Sequence, residues 1–546
     1  MKQQRRFTLL LATLLVGFII GPILFHGTSQ AAAKQVLHLS ATAPLDTIDI
    51  SKATGYGQTG NVYESFYRLG KHGSITPGLA KDTKVSADGL TWTFTLRDAK
   101  WSNGDPITAQ DFVYSWQRTV NPKTKSQYSY LFEGIKNAQA ISAGKLKPDQ
   151  LGIKAQDDKT VVVTLEKPIA YFKILMAYPL FAPQNEKVAQ KYGKKYATKS
   201  QNTVYSGPFK IENWNGTSNK WRFVKNDQYW DKSAVKLQQI NYEVVPSTST
   251  SLDLFQDGKL DLTPLAPEQV RELKHDKDFK NYPYAMIYYL KYNFHNTNKQ
   301  KQKALNNQNI RLAISLAINR NQLTQKALGD GSLIPNGFVP KGLAKDPQNK
   351  KDFAAEQGVP DTVTYNKTKA KALWQQGLQE TGLKKLSLTL IASNDDASSK
   401  TVTEYLKDQL EKKLPGLTLN IRQMPSTAAN QFQQKGQFDI SLSAWGADFN
   451  DPITFLQIPE SDTSYNMGKY SNKDYDALIH KAQNEDANDP NARWQDLIQA
   501  SQLFSKDQGM TPLYQNNASY LQNAKVKGII HNTAGAQWSY KYASIK

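Results

Sequence analysis

One stretch of the sequence is apolar and long enough to cross a bilayer, and it lies near the N terminus. The nineteen residues from Phe7 to Phe25 carry no charge, and a membrane-spanning helix needs roughly 20. No second stretch of this kind follows Ala33. We therefore expect everything after Ala33 to fold as a soluble chain outside the membrane.

The first 33 residues have the three parts of an export signal. Lys2, Arg5 and Arg6 precede the apolar stretch, and the small residues Ala31 to Ala33 follow it, as signal peptidases require. A retained anchor helix is the alternative, although two glycines and a proline interrupt the apolar stretch. Residues 1–33 are thus predicted to be a signal peptide or an N-terminal anchor of an exported protein.

Charge and cysteine content restrict the partners of the chain. It has 68 Lys and Arg against 48 Asp and Glu, a formal charge of +20. Loss of residues 1–33 would leave about +17. Export argues against nucleic acid, so we expect an anionic cell envelope to attract the scattered basic residues. The chain has no Cys, which excludes disulfides, thiol catalysis and a lipid anchor on cysteine.

Strand and helix patterns are interspersed, which predicts an α/β fold. Residues Thr91–Leu96 alternate threonine with large apolar residues, as a half-buried strand does. Thr108 and Asp111 form a capping-box pattern that predicts the start of a helix. Apolar spacing predicts further helices over Ile310–Leu328 and Arg493–Asp507.

Two segments resemble each other within the chain. Residues 255–262 and 432–440 each have the pattern of a helix end, a Gly cap and a short strand. Chance could produce one such match in a long chain. The alternative is two α/β lobes with a cleft between them, where small ligands bind.

Local sequence patterns favour neither an enzyme nor a cofactor. Residues 55–60 match G-x-G-x-x-G, but no strand leads directly into them, so we interpret them as a flexible loop. The seven histidines are dispersed and have no i, i+4 pair. We expect no catalytic residue, no metal and no cofactor.

The loop after the strand Phe438–Ser443 contains two carboxylates. Asp451 precedes Pro452 and is expected to begin a helix. Asp448 has no such structural role and lies between Trp445 and Phe449, where a carboxylate suits an ammonium group. A surface salt bridge is the alternative for Asp448.

Several segments closely match the signature of a known family. The main matches are Gly78–Ala80, Ser86–Arg97, Trp101–Ala109, Asp111–Ser115, Ser206–Phe209, Asn226, Tyr229–Trp230, Asn309–Arg311, Trp445 and Asp448. They resemble family 5 extracellular solute-binding proteins, the oligopeptide- and dipeptide-binding receptors of ABC importers. Tyr205–Lys210 and Leu513–Gln515 are most similar to the oligopeptide receptors of lactobacilli and their relatives.

The resemblance implies a bilobal periplasmic-binding-protein-like α/β fold, type II of the large peptide-binding class, with an extra inserted domain. Lobe I would comprise residues 34–71, 205–283 and 509–546. The inserted domain would be 72–204, and lobe II would be 284–508. We expect a monomer that captures an oligopeptide between its lobes and delivers it to the permease subunits of an importer.

The same resemblance implies a binding site. Asp448 would pair with the peptide's N-terminal ammonium, the backbone of Ala444 and Gly446 would pair with the peptide chain, and Trp445 would line a side-chain pocket. In the early loop, where related receptors have an acid, this chain offers only Thr54 and Tyr56.

Two further departures concern the peptide's C terminus and the anchor. Gln433 and Leu442 stand about where enteric relatives have arginines, and Lys435 lies nearby as the candidate for the peptide carboxylate. The missing Cys distinguishes the chain from the lipid-anchored receptors of single-membrane bacteria. We expect it at the cell surface or wall of such a Gram-positive-type bacterium, held without lipid.

Other functions remain open from sequence alone. The same fold could serve a receptor for a peptide pheromone or another solute. It could also serve a wall-associated adhesin that takes no part in transport.

Overall fold

A computed structural model describes residues 35–546, except Thr54, Asp396 and Asp462. The export segment predicted at residues 1–33 lies outside these described residues. Gln35–Lys546 forms one compact unit. Within the described part of the chain, none of the helices has both the length and the apolar composition needed to cross a membrane.

The strands share one long sheet and several small ones. In chain order, the strands of the described residues are β1 (Val36–Ala41), β2 (Tyr67–Leu69), β3 (Ile75–Pro77), β4 (Ala80–Val85), β5 (Thr91–Leu96), β6 (Ile153–Asp157), β7 (Thr160–Thr164), β8 (Phe209–Glu212), β9 (Lys220–Lys225), β10 (Gln239–Val244), β11 (Leu262–Pro264), β12 (Phe279–Tyr292), β13 (Leu386–Ser393), β14 (Leu417–Met424), β15 (Ile440–Gly446), β16 (Met510–Gln522), β17 (Val526–Lys527), β18 (Ile530–His531), β19 (Trp538–Ser539) and β20 (Ser544–Ile545).

The helices connect and flank these strands. In chain order they are α1 (Ala109–Val120), α2 (Ala138–Ser142), α3 (Phe172–Leu175), α4 (Glu186–Tyr192), α5 (Thr248–Gln256), α6 (Pro267–Leu273), α7 (Lys299–Asn306), α8 (Gln308–Ala317), α9 (Arg320–Gln322), α10 (Phe353–Glu356), α11 (Pro360–Val363), α12 (Lys367–Thr381), α13 (Ala397–Lys413), α14 (Ser426–Gln434), α15 (Ile453–Leu456), α16 (Lys473–Gln483) and α17 (Pro490–Asp507).

The main sheet has ten strands in the order β14-β13-β15-β12-β16-β11-β1-β10-β9-β8. Its two longest strands, β12 and β16, pair antiparallel at the centre. On one side of them lie the parallel strands β15, β13 and β14, and on the other the parallel strands β11, β1 and β10. Parallel strands need crossover connections, so each group forms a lobe with its helices. The fold is the bilobal α/β architecture that the sequence predicts.

The internal resemblance between residues 255–262 and 432–440 is confirmed as a repeated structural unit. Helix α5 ends before Gly258, whose φ is +72°, and β11 follows. Helix α14 ends before Gly436, whose φ is +65°, and β15 follows. The strands β11 and β15 lie directly outside the central pair. Each unit therefore occupies the equivalent place in its own lobe.

A second sheet has four strands in the order β4-β5-β7-β6. Strand β5 spans Thr91–Leu96 as predicted. The Thr108 N–H donates to the Asp111 carboxylate at 2.9 Å, which confirms the capping box at the start of α1. Phe66 stacks on both Phe94 and Phe112, with ring centroids 4.0 and 4.1 Å apart. This sheet lies within the predicted inserted domain, and the boundaries of that domain and of the two lobes stay predictions.

The helix predicted over Ile310–Leu328 is broken in the structure. Helix α8 ends at Ala317, and Asn319 then accepts the N–H of Gln322 at 3.0 Å to begin α9. A π-helical turn completes the segment up to Leu328. The apolar spacing continues across the break because α8 and the following segment face the same core. The helix itself is interrupted because the side chain of Asn319 bonds to the backbone and begins a new helix. Helix α17 begins three residues before the predicted start, at Pro490.

Candidate functional site

The loop after β15 holds Asp448 beside the central strands. Gly446 is the last residue of β15, and a Cβ there would lie 3.2 Å from Cε of Met286 on β12. Beyond it, Asp448 donates its backbone N–H to Oγ1 of Thr454 at 3.4 Å. Phe449 is buried. The loop is therefore fixed at both ends around a carboxylate that is itself partly exposed.

Among the described residues, Asp448 is an acid without a cationic partner. Burial raises the pKa of its carboxyl to about 6, and a hydrogen bond from Tyr130 opposes that rise. No Lys, Arg or His of the described residues lies within ion-pair distance of it. The salt-bridge alternative therefore has no support from the described residues. A partly desolvated, unpaired carboxylate suits a ligand cation.

Near Asp448, one edge of β15 pairs with no other strand of the described residues. The Ala447 N–H donates to the Ala285 carbonyl at 2.7 Å, and from there β12 and β15 pair without a register shift. Since antiparallel bonds come from alternate residues, the N–H and C=O of Ala444 and Gly446 point to the other edge. There β13 pairs only with residues 440 and 441 of β15. The edge beside Ala444 and Gly446 is open to an added strand.

Trp445 lies between this edge and the loop. Its ring is half-buried and meets Tyr465 edge-on, with centroids 5.3 Å apart. Its Nε1–H is buried and has no hydrogen-bond acceptor among the described residues. Lining of a side-chain pocket by Trp445 stays a prediction.

Asp451 has a larger structural role than the one predicted. Its carboxylate accepts the Ile453 N–H at 3.0 Å, consistent with a helix start, although α15 begins only at Ile453. Its main partner is Arg493, which donates to both carboxylate oxygens at 2.9 and 2.7 Å. Both side chains are buried. The two aspartates therefore differ, since Asp451 forms an ion pair and Asp448 forms none with the residues that the structure describes.

The two candidate ligand contacts in the early loop are Thr54 and Tyr56. Thr54 lies outside the described residues. Tyr56 is buried, and its hydroxyl donates to the Ile50 carbonyl at 2.9 Å, so the hydroxyl is already satisfied within the core. The end of the predicted loop is packed, because a Cβ at the buried Gly60 would lie 2.7 Å from Cβ of Ala536. The flexibility of residues 55–60 stays a prediction. A ligand contact by Tyr56 stays a prediction.

The residues considered for the peptide's C terminus lie on or near α14 and β15. Lys435 is exposed at the end of α14, and Gln433 is buried. Lys291 is a further residue here that was not predicted, and its Nζ donates to Oε1 of Gln433 at 2.9 Å. Burial lowers the pKa of Lys291 to about 8. A lysine within the apolar run of β12 is the signal that could have identified it.

Two further tyrosines reach Asp448 from other parts of the chain. Tyr130 lies in the short 3-10 helix Ser129–Phe132, and the Asp448 carboxylate adds to the effect of burial in raising the pKa of its hydroxyl. Burial raises the pKa of the Tyr465 hydroxyl, and the carboxylates of Asp448 and Glu133 raise it further. These residues surround a cavity of about 250 Å³. Tyr130 and Tyr465 lie outside the loop that contains Asp448, so local sequence patterns could not predict that they contribute to the site.

A second cavity lies at the carboxyl end of β1 in the other lobe. Its volume is about 280 Å³. Ligands in open α/β sheets bind beyond the carboxyl ends of parallel strands. The lining is rich in aromatic rings and includes residues 39–43, Gln58, Tyr242, Tyr520, Trp538 and Tyr540.

The described residues contain no group of three or more His, Asp or Glu side chains suited to a metal ion. The site therefore consists of a carboxylate, an open strand edge and aromatic walls.

Comparison with known proteins relates this arrangement to a family. Residues 74–467 match the bacterial extracellular solute-binding proteins, family 5.

The chain belongs to that family. A dipeptide-binding protein of Lactococcus lactis subsp. cremoris is 40% identical over 514 residues, which cover 92% of each chain. The structure of Listeria monocytogenes OppA bound to peptide shares 38% identity and a TM-score of 0.73, covering 94% of this chain and 100% of that one. The pheromone receptor PrgZ, whose peptide-binding mode is described, shares 37% identity and a TM-score of 0.73 over 94% and 100% of the two chains. The family resemblance predicted from the sequence is confirmed.

Proposed function

We propose that this protein captures oligopeptides with a free N terminus in the cleft between its lobes. The observation that carries the proposal is the carboxylate of Asp448, which has no cationic partner within the described part of the chain and lies beside the open edge of β15. The carboxylate would hold the peptide's ammonium, and Ala444 and Gly446 would bond to its backbone as to an added strand. Backbone pairing is independent of side chains, so the receptor would accept many sequences.

The captured peptide would be delivered to the permease subunits of an ABC importer, with no chemical reaction on the protein. Relatives named as dipeptide- and oligopeptide-binding proteins support this role. The lobes and inserted domain predicted above would close on the peptide by bending between β12 and β16. Two register shifts between these strands support a hinge there.

Mass spectrometry of ligands released from the purified, denatured protein tests the proposal. We expect a mixture of short peptides with unmodified N termini. A single dominant peptide would favour the pheromone-receptor alternative, for which the similarity to PrgZ is the supporting observation. A non-peptide solute would contradict the proposal.

We further propose that the exported protein is a monomer held at the surface of a single-membrane bacterium by charge. A mature chain near +17 would be attracted to an anionic envelope, and the chain has no Cys for a lipid anchor. About 1 M salt shortens the screening length to roughly 3 Å, so a salt wash should release the protein. N-terminal sequencing of the released protein should begin near Ala32 or Lys34. Retention in salt with residue Met1 still present would instead favour the anchor helix.

A further inference from the structure

The cavity of about 250 Å³ beside Asp448 adjoins the proposed ammonium site. One wall comes from residues 130–175 and the other from residues 448–483. Asp448 lines this cavity and lies at the end of the open edge of β15. If the proposed function holds, a peptide ammonium on Asp448 places the first Cα of the peptide beside a residue that lines the cavity. The first side chain then has this space within reach.

The charges that line the cavity are mainly negative. Three carboxylates contribute, those of Asp448, Glu133 and Glu460, against the one ammonium group of Lys167. Glu133 is exposed and makes no ion pair with any other described residue. Both Asp448 and Glu133 raise the pKa of the Tyr465 hydroxyl, after burial itself. One peptide ammonium would neutralise only part of this negative charge.

Aromatic rings form part of the remaining lining, beside aliphatic and uncharged polar side chains. Tyr130, Tyr465 and Tyr171 line the cavity, and Tyr171 stacks on Phe449 with ring centroids 4.5 Å apart. Faces of aromatic rings attract cations, and tyrosine hydroxyls accept hydrogen bonds from them. An acidic cavity with tyrosine walls suits a long side chain that ends in a positive charge.

We infer that this cavity binds the side chain of the peptide's first residue and selects lysine or arginine there. The inference rests on the proposed function and adds a preference at one position. Apolar stems of lysine and arginine would contact the rings, while the charged ends would approach Glu133 and Glu460. A first residue with a carboxylate would be repelled.

Calorimetric titration with tetrapeptides that differ only at the first residue tests the inference. The probes are lysine, its uncharged analogue norleucine, and glutamate, each followed by three alanines. We expect the lysine peptide to bind at least tenfold more tightly than the norleucine peptide, and the glutamate peptide to bind most weakly. Equal affinities would overturn the inference and leave the proposed function intact. No binding by any of them would count against the proposed function itself.

The variant Glu133→Gln tests the location of the preference. It should reduce the ratio of lysine to norleucine affinity by threefold or more and leave norleucine affinity unchanged, which also shows that the variant is folded. Glu268→Gln is the matched control, because Glu268 is exposed on α6 and does not line the cavity. It should preserve the wild-type ratio. A lysine preference that Glu133→Gln leaves intact would overturn the assignment to this cavity.

Discussion

The hydroxyl of Tyr130 and the carboxylate of Asp448 line the same cavity and shift each other's pKa, although they belong to distant parts of the chain. A phenol can share its proton with a carboxylate but cannot neutralise it. The interaction therefore favours the ionised form of Asp448 and leaves its charge for a ligand.

Replacement of Tyr130 by phenylalanine should weaken peptide binding at neutral pH by a few-fold. Without the Tyr130 hydroxyl, which lowers the pKa of Asp448, that pKa should rise further, because polar donors near a carboxylate favour its charged form. Titration of the variant between pH 5 and 8 should show the loss of affinity beginning at a higher pH than in wild type. An unchanged pH profile would mean that the hydroxyl does not influence Asp448.

Peptide affinity should depend on pH through Asp448. Its carboxyl has a pKa of about 6 in the empty protein, and only the ionised form pairs with an ammonium. Affinity should therefore be full near pH 7 and fall about tenfold per unit below pH 6, down to the lower pKa of the complex. Above about pH 8 the peptide amine itself loses its proton. In Asp448→Asn the decline below pH 6 should be absent, and its persistence would assign the titration to another group.

Asp448→Asn should also stabilise the empty protein at neutral pH. A folded-state pKa raised from 3.8 to about 6 means that the ionised carboxylate destabilises the fold above pH 6. Because the group is partly exposed, we expect a gain of about 1–2 kcal/mol in the free energy of unfolding. The gain should vanish near pH 3.5, where the acid is protonated in both states. Urea unfolding at the two pH values measures it, and a loss of stability at pH 7 would contradict the assigned burial.

Replacement of Asp451 should destabilise the protein, whereas replacement of Asp448 should stabilise it. It forms a buried, two-bond pair with Arg493, and Asp451→Ala leaves that guanidinium without its counter-charge. We expect a loss of about 3–5 kcal/mol in the free energy of unfolding. In the double variant Asp451→Leu with Arg493→Met, much of that loss should be recovered, since no unpaired charge remains. Equal losses in both variants would indicate that packing, not charge, explains the effect.

Sequence reasoning succeeded where the determinants are local. The alternation in Thr91–Leu96 and the Gly positions 258 and 436 set short-range geometry, and the structure has the strand and both helix ends there. It failed where distant segments meet, as for Tyr130 beside Asp448 and Arg493 beside Asp451. The residues around Asp448 and Asp451 carry no information about side chains far along the chain. They therefore could not show that Arg493 pairs with Asp451.

The break after Ala317 illustrates a second limit. The apolar spacing of residues 310–328 predicted the buried face, and the structure buries Ile310, Ile314 and Ile318. Asn319 nevertheless begins a new helix, and buried Arg320 donates to the Ser315 and Val363 carbonyls at 3.0 and 2.6 Å. Hydrophobic periodicity shows which residues face the core but carries no information about the side chains that cap a chain break.

The most direct test measures whether the ammonium of the peptide and the carboxylate of Asp448 bind each other. Calorimetry should compare one peptide recovered from the protein, with and without an acetyl group on its N-terminal amine, in wild type and Asp448→Asn. Loss of one partner of a desolvated ion pair costs about 2–5 kcal/mol, so acetylation should weaken binding to wild type about 30-fold or more. In Asp448→Asn, where the partner is already absent, acetylation should change affinity by less than about threefold. If acetylation weakens binding equally in both proteins, Asp448 does not hold the peptide's N terminus.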